Sequence, residues 1–129
     1  MKLRNLFIVN AILAALFGVG FMVVPSFLFN LLGFSIEADG PLAMRYMGIM
    51  VFGVSVLTFS ARNSEDSQAR RAIVLSLIII YSLLPIFHIG TQLFLGKGNI
   101  MLWGMNILHI AFAILYGIAY FRKTERLSG

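Results

Sequence analysis

The stretch AIVLSLIIIYSLLPIFHIGTQLFLG, residues 72–96, decides the fold class of this chain. It contains no charged side chain, and it is long enough to cross a bilayer as a helix, which takes about 20 apolar residues. Further uncharged runs cover residues 5–36, 46–61 and 98–121. These runs leave no room for a separate soluble domain in 129 residues. We therefore predict an all-α integral membrane protein.

The composition supports this class and excludes several others. Only 12% of the residues are charged, whereas about a quarter are charged in soluble domains. The formal net charge of +5 does not indicate nucleic-acid binding, because the basic residues flank the apolar runs and form no basic face with interleaved aromatics. The chain has no cysteine, which excludes disulfides, thiolate metal ligands and CxxC redox chemistry.

The apolar runs and the turn residues between them predict one domain, residues 1–129. We expect membrane spans at about 3–24, 41–61, 69–95 and 99–121. The connections between them are short, so consecutive helices should be antiparallel neighbours in an up-down four-helix bundle.

Local signals define several helix boundaries. Pro25 is placed as a first-turn proline and Gly33 as a helix C-cap, which predicts either a short helix in the membrane interface or one long helix kinked near Pro25. Ser64, together with Ser67 and Gln68, suggests a cap at the start of the third span. Small residues at helical spacing, which let helix backbones approach closely, occur in the first and last spans at Ala14, Gly18, Ala113 and Gly117.

The basic residues predict the orientation. Of the ten, only Arg45 and Lys97 belong to the predicted outer side, together with the acidic pair Glu37 and Asp39. Cytoplasmic segments of membrane proteins carry the excess of lysine and arginine, so both termini should be cytoplasmic, in a plasma or inner membrane. The remaining eight basic residues lie at the two termini and in the segment 62–71: Lys2, Arg4, Arg62, Arg70, Arg71, Arg122, Lys123 and Arg126.

Polar side chains inside the spans predict a site. Tyr81, His88 and Gln92 lie on one face of the third span, and Asn106 and His109 lie on one face of the fourth. Unpaired polar groups are costly in hydrocarbon, so these side chains should face inward. We expect a polar pocket in the outer half of the bundle that also includes Arg45 from the second span. Its apolar walls would come from Phe87, Met101, Trp103, Met105 and Phe112.

The residues allow several roles for this pocket. It could be a hydrogen-bonded polar core that binds nothing, or a site for a lipid or quinone. Further alternatives are a membrane enzyme that uses His88 and His109 as acid and base, and a haem held by the same two histidines. The spans contain no aspartate or glutamate, so we assign no catalytic residue and no metal site.

The second span, RYMGIMVFGVSVLTFSAR, resembles the small four-helix membrane proteins of the DoxX-like and DUF4345-like group. Those proteins share a proline after the first helix and an R-x-x-G-x-x-x-x-G motif, which correspond here to Pro25, Arg45, Gly48 and Gly53. The resemblance covers about the first half of the chain and implies a four-helix membrane fold. Some DoxX-like proteins are membrane subunits of quinone-dependent redox complexes, which implies a quinone or a partner subunit.

These observations together predict a small non-enzymatic membrane protein. It would bind a lipid or quinone in the polar pocket, or act as an accessory subunit of a membrane complex or as a homo-oligomer.

Overall fold

The computed structural model describes residues 2–35 and 40–125, which form helices and turns without β-strand. The all-α prediction is confirmed for this part of the chain, and four of the helices are long and apolar enough to cross a membrane. The acidic pair Glu37 and Asp39, and Arg126, lie outside the described residues. The helices are α1 (Leu3–Val23), α2 (Pro25–Leu31), α3 (Gly40–Ala61), α4 (Gln68–Leu95) and α5 (Ile100–Glu125).

Pro25 begins a separate short helix, which decides between the two predicted arrangements. The α1 helix ends at Val23, and Pro25 occupies the first turn of α2. The α2 helix ends at a glycine, because Gly33 has a φ of +84°, a conformation that side chains with a Cβ rarely adopt. The Phe34 N–H then donates to the Phe29 carbonyl at 3.1 Å, as in a Schellman C-cap.

The start of α4 is also as predicted. The Ser67 hydroxyl accepts a hydrogen bond from the Arg70 N–H at 3.2 Å, which satisfies one of the free donors of the first turn. Pro85 lies inside α4 and is buried. Since proline has no N–H, it leaves the carbonyl one turn earlier, at Tyr81, without its usual helical donor.

The α1 and α3 helices pack closely against each other as an antiparallel hairpin. A Cβ atom at Gly18 would lie 2.7 Å from the backbone nitrogen of Phe52, so the small residue permits this approach. Farther along the pair, the Ser55 hydroxyl donates to the Ala11 carbonyl at 2.8 Å. The predicted role of Gly117 is wrong, because a Cβ there would meet open space.

The α4 and α5 helices form a second hairpin around the turn at residues 96–99. We call the end of the bundle that carries this turn the turn end, and the opposite end the termini end. The hairpins meet through α1, which contacts α5. Large apolar and aromatic side chains fill this contact toward the termini end, and they include Leu6, Phe7, Val74, Leu77, Tyr81, Phe112 and Tyr116.

Candidate functional site

Three predicted polar side chains form a hydrogen-bonded chain at the turn end. Gln92 and His88 are four residues apart on α4, so both face Asn106 on α5. The His88 Nδ1 lies 3.1 Å from the Asn106 Oδ1, and the Asn106 Nδ2 donates to the Gln92 Oε1 at 3.0 Å. The Gln92 Nε2 donates in turn to the backbone carbonyl of Asn99 at 3.2 Å.

The Asn99 carbonyl sets the direction of every bond in this chain. A carbonyl only accepts, so Gln92 must direct its NH₂ group toward Asn99 and its oxygen toward Asn106. Asn106 then directs its own oxygen toward His88. Since that oxygen only accepts, the Nδ1 of His88 carries the hydrogen and donates it. In the neutral imidazole, the Nε2 of His88 is consequently an acceptor.

The second histidine lies beside the first. The ring centroids of His88 and His109 are 5.6 Å apart, with the rings tilted by 41°. His109 also stacks on Tyr81, with centroids 5.6 Å apart. The Nδ1 of His109 is buried and has no hydrogen-bond partner among the described residues. At 1.5 Å per residue, His88 lies about 10 Å from the end of α4 and His109 about 14 Å from the start of α5. The two imidazoles are therefore at similar depth.

Both imidazoles line a cavity between the two hairpins, which we call the central cavity. Its volume is about 320 Å³. One lining residue, Met47, is exposed, so this wall reaches the surface of the bundle. Every helix contributes to the lining, which consists of Phe21, Phe29, Leu32, Phe34, Met44, Met47, Val51, Leu84, His88, Leu102, Met105 and His109. The arrangement can hold an apolar body against aromatic and methionine side chains while the histidines bind a polar group.

The α2 segment is attached to the second hairpin through Asn99. The Asn99 side chain donates to the Leu31 carbonyl at 3.0 Å and accepts from the Met101 N–H at 2.9 Å. Its backbone N–H donates to the Leu32 carbonyl, and the Gly98 N–H donates to the Gly33 carbonyl. Residues of α2 and of the turn after it form part of the cavity wall, so these bonds hold that wall in place.

Asn10 is a buried polar residue that the sequence prediction missed. Only 1% of its surface is exposed, and the Tyr81 hydroxyl donates a hydrogen bond to its Oδ1. The Nδ2 of Asn10 has no partner among the described residues. Asn10, Tyr81 and His109 line a second cavity of about 60 Å³, and His109 and Met105 line both this space and the central cavity. The available signal was an amide within a largely apolar run, without a polar side chain three or four residues away on either side.

Two predicted pocket residues belong neither to the hydrogen-bonded chain nor to either of the cavities that His109 lines. Arg45 is exposed, and it lines a different cavity beside Pro25 and Pro41. The reason is that α3 packs on α1, which places the first turns of α3 next to the junction of α1 and α2. Trp103 is 40% exposed and is not part of the central cavity wall.

The predicted apolar wall is also largely different from the observed one. Of its five residues only Met105 lines the central cavity, and Phe87 is 70% exposed. Seven of the 12 residues of the observed wall come from α1, α2, the turn after α2 and α3, which the sequence could not place relative to the histidines.

Comparison with known proteins assigns a family to the chain. No curated protein and no solved structure matches it. No comparison links it to the DoxX-like or DUF4345-like proteins, so that resemblance stays a prediction. A family model described as a domain of unknown function, DUF8292, matches residues 1–122. Since the match covers nearly the whole chain, the protein belongs to the DUF8292 family.

Proposed function

We propose that this protein is an integral membrane protein that binds a hydrophobic or amphipathic molecule, of the lipid or quinone class, in its central cavity. The membrane part of the proposal is supported by the four long apolar helices and by their surfaces. Large apolar side chains are exposed along all of them, for example Leu16 at 66%, Met50 at 73% and Ile107 at 69%. Such a surface suits hydrocarbon, since soluble proteins rarely expose large contiguous apolar patches.

The observation that carries the binding proposal is the lining of the central cavity. Ligand sites have volumes of about 300–1,000 Å³ and combine apolar walls with a few placed polar groups. The central cavity has this composition, with two imidazoles among aromatic, methionine and aliphatic side chains. His88 is held in one orientation by Asn106, so its polar edge is prepared before a ligand arrives.

Binding fits the described lining better than catalysis does. The imidazoles are the only acid–base groups among the described residues of the cavity wall. An enzyme would need His88 and His109 to exchange protons with a bound molecule, and binding needs only one hydrogen bond to either ring. A binder should lose its ligand on His88→Ala and show no turnover, whereas an enzyme should lose rate while it still binds.

The decisive experiment is purification in mild detergent, followed by mass spectrometry of small molecules that remain bound and by an absorption spectrum. We expect a defined lipid or quinone at about one per chain. The variant Val51→Trp places a large side chain in the cavity wall and should displace the ligand. Val56→Trp on the same helix is the control, because Val56 is 52% exposed and is not part of that wall.

Other results would overturn the proposal in different ways. A Soret band that disappears in His88→Ala would make this a haem protein. A ligand-free protein that co-purifies with another membrane protein would identify an accessory subunit. A ligand that stays bound in Val51→Trp would show that the central cavity is not its site.

A further inference from the structure

We infer that the central cavity selects molecules whose polar group is a neutral O–H donor, such as a phenol, a quinol or a long-chain alcohol, over carbonyl, ether or anionic analogues. This inference rests on the proposed function and narrows the class of ligand. It comes from the direction of the amide chain that ends at His88.

The first step is the chemistry of the His88 ring. The chain from the Asn99 carbonyl through Gln92 and Asn106 places the hydrogen of His88 on Nδ1. The Nδ1 atom of His88 is hydrogen-bonded to Asn106. His88 lines the central cavity, whereas Asn106 does not. The polar atom that His88 can offer to the cavity is consequently Nε2, an acceptor. An O–H group satisfies this acceptor, whereas an ether or a carbonyl oxygen would face it lone pair to lone pair.

The second step is the charge of the wall. The described residues that line the central cavity include neither lysine nor arginine. Arg45, which could have paired with an anionic head group, lines a different cavity. A carboxylate or phosphate buried here would lose its hydration without gaining a cation, and that loss is costly. The wall therefore favours a neutral polar group.

The experiment compares probes that differ only in the donor. Full-length protein in lipid nanodiscs is titrated calorimetrically with 4-octylphenol and with its methyl ether, and empty nanodiscs supply the blank. If the phenol makes one more hydrogen bond to the protein than the ether does, its affinity should be about three- to tenfold higher. A second pair, 1-dodecanol and its methyl ether, separates aromatic from aliphatic sources of the O–H group. If the hydroxyl compound binds more tightly in both pairs, the cavity accepts any hydroxyl group. If it does so in the phenol pair alone, the cavity selects a phenol.

Two variants locate the preference. His88→Phe keeps an aromatic ring but removes the acceptor. The ratio of phenol affinity to ether affinity should then fall to the ratio at which the two probes partition into empty nanodiscs. Asn106→Leu removes the partner that holds the hydrogen on Nδ1. His88 can then present either a donor or an acceptor, and the preference should shrink. If Asn106→Leu does not fold, Gln92→Met at a half-buried position breaks the same chain. Ser76→Ala on the exposed side of α4 is the control and should leave the ratio unchanged.

The outcomes separate this inference from the proposed function. Equal affinities for phenol and ether in the unaltered protein, or a preference that persists in His88→Phe, would overturn the inference while binding itself stands. A preference that disappears in His88→Phe but is unchanged in Asn106→Leu and Gln92→Met would overturn the role of the amide chain. Failure of every probe to bind would overturn the inference, whereas the proposed function is overturned only if no lipid or quinone co-purifies with the protein.

Discussion

Gly48 of α3 lies directly on the backbone of Gly18 in α1. A Cβ atom at position 48 would lie 2.7 Å from the Gly18 carbonyl oxygen and 2.9 Å from the Met22 backbone nitrogen. Both neighbours are backbone atoms, which cannot rotate away as a side chain can. The first hairpin therefore depends on small residues at the point where its helices cross, an arrangement that is common in membrane helix pairs.

Gly48→Ala should destabilise the protein, because the added methyl group forces α1 and α3 apart. We expect a loss of about 1–3 kcal/mol in the free energy of unfolding, the usual cost of overpacking. The measurement is reversible unfolding in mixed detergent micelles. Gly53→Ala is the matched control on the same helix, since a Cβ there meets no atom within 4 Å. Alanine favours the helix over glycine, so this control should be neutral or stabilise by up to about 1 kcal/mol. Equal losses in both variants would contradict the close crossing.

The two buried tyrosines of the core should respond differently to loss of the hydroxyl. Tyr81→Phe removes the donor to Asn10 and leaves a buried carboxamide oxygen unpaired, which should cost about 0.6 kcal/mol and at most about 1.7 kcal/mol. Tyr116→Phe should cost less than Tyr81→Phe, because its buried hydroxyl lies near Asn10 without a well-formed hydrogen bond to it.

The same unfolding assay tests both tyrosine variants. Tyr46→Phe is the control for a hydroxyl at the surface, since Tyr46 is 61% exposed. A larger loss in Tyr116→Phe than in Tyr81→Phe would show that the two hydroxyls have been assigned the wrong roles.

Asn99 should hold α2 against the second hairpin through its NH₂ group and cap α5 through its oxygen. Asn99→Asp keeps the acceptor for the Met101 N–H but loses the donor to the Leu31 carbonyl. We expect faster hydrogen exchange in residues 25–34 with little change in the first turn of α5. Asn99→Ala removes both functions and should add a loss of about 0.5–2 kcal/mol from the missing cap.

Hydrogen exchange followed by mass spectrometry distinguishes these variants. The control is Asn63→Asp, the same chemical change at an exposed position of the termini end. Unchanged exchange in residues 25–34 of Asn99→Asp would mean that the backbone bonds of Gly98 and Asn99 are sufficient to hold α2.

The proposed insertion and orientation in the membrane can be tested with single cysteines, because the chain has none of its own. The excess of basic residues at the termini end predicts that this end is cytoplasmic. Asn63→Cys should therefore be protected from an impermeant thiol reagent added to intact cells, whereas Ser35→Cys should react. Both positions are exposed, and neither substitution changes the charge. The reverse pattern of labelling would invert the predicted topology.

The sequence by itself determined the local structure of this protein. The uncharged stretches predicted the bounds of the four long helices to within a few residues. An apolar run flanked by charges has few stable forms in a membrane other than a helix. Pro25 and Gly33 mark helix boundaries through their own backbone properties, and Ser67 marks one through its side-chain hydroxyl. Helical spacing also placed His88 and Gln92 together on α4, and His109 with Asn106 on α5.

Only the tertiary structure decided which faces meet and what lies between them. The exposed and the packed sides of these helices both carry large apolar side chains, so hydropathy could not show that α3 packs on α1 and carries Arg45 away from the histidines. Asn10 was missed because one amide in an apolar run has no periodic companion, and its partner Tyr81 lies on a distant helix. The central cavity likewise depends on the separation of the two hairpins, a property of their packing that no single segment encodes.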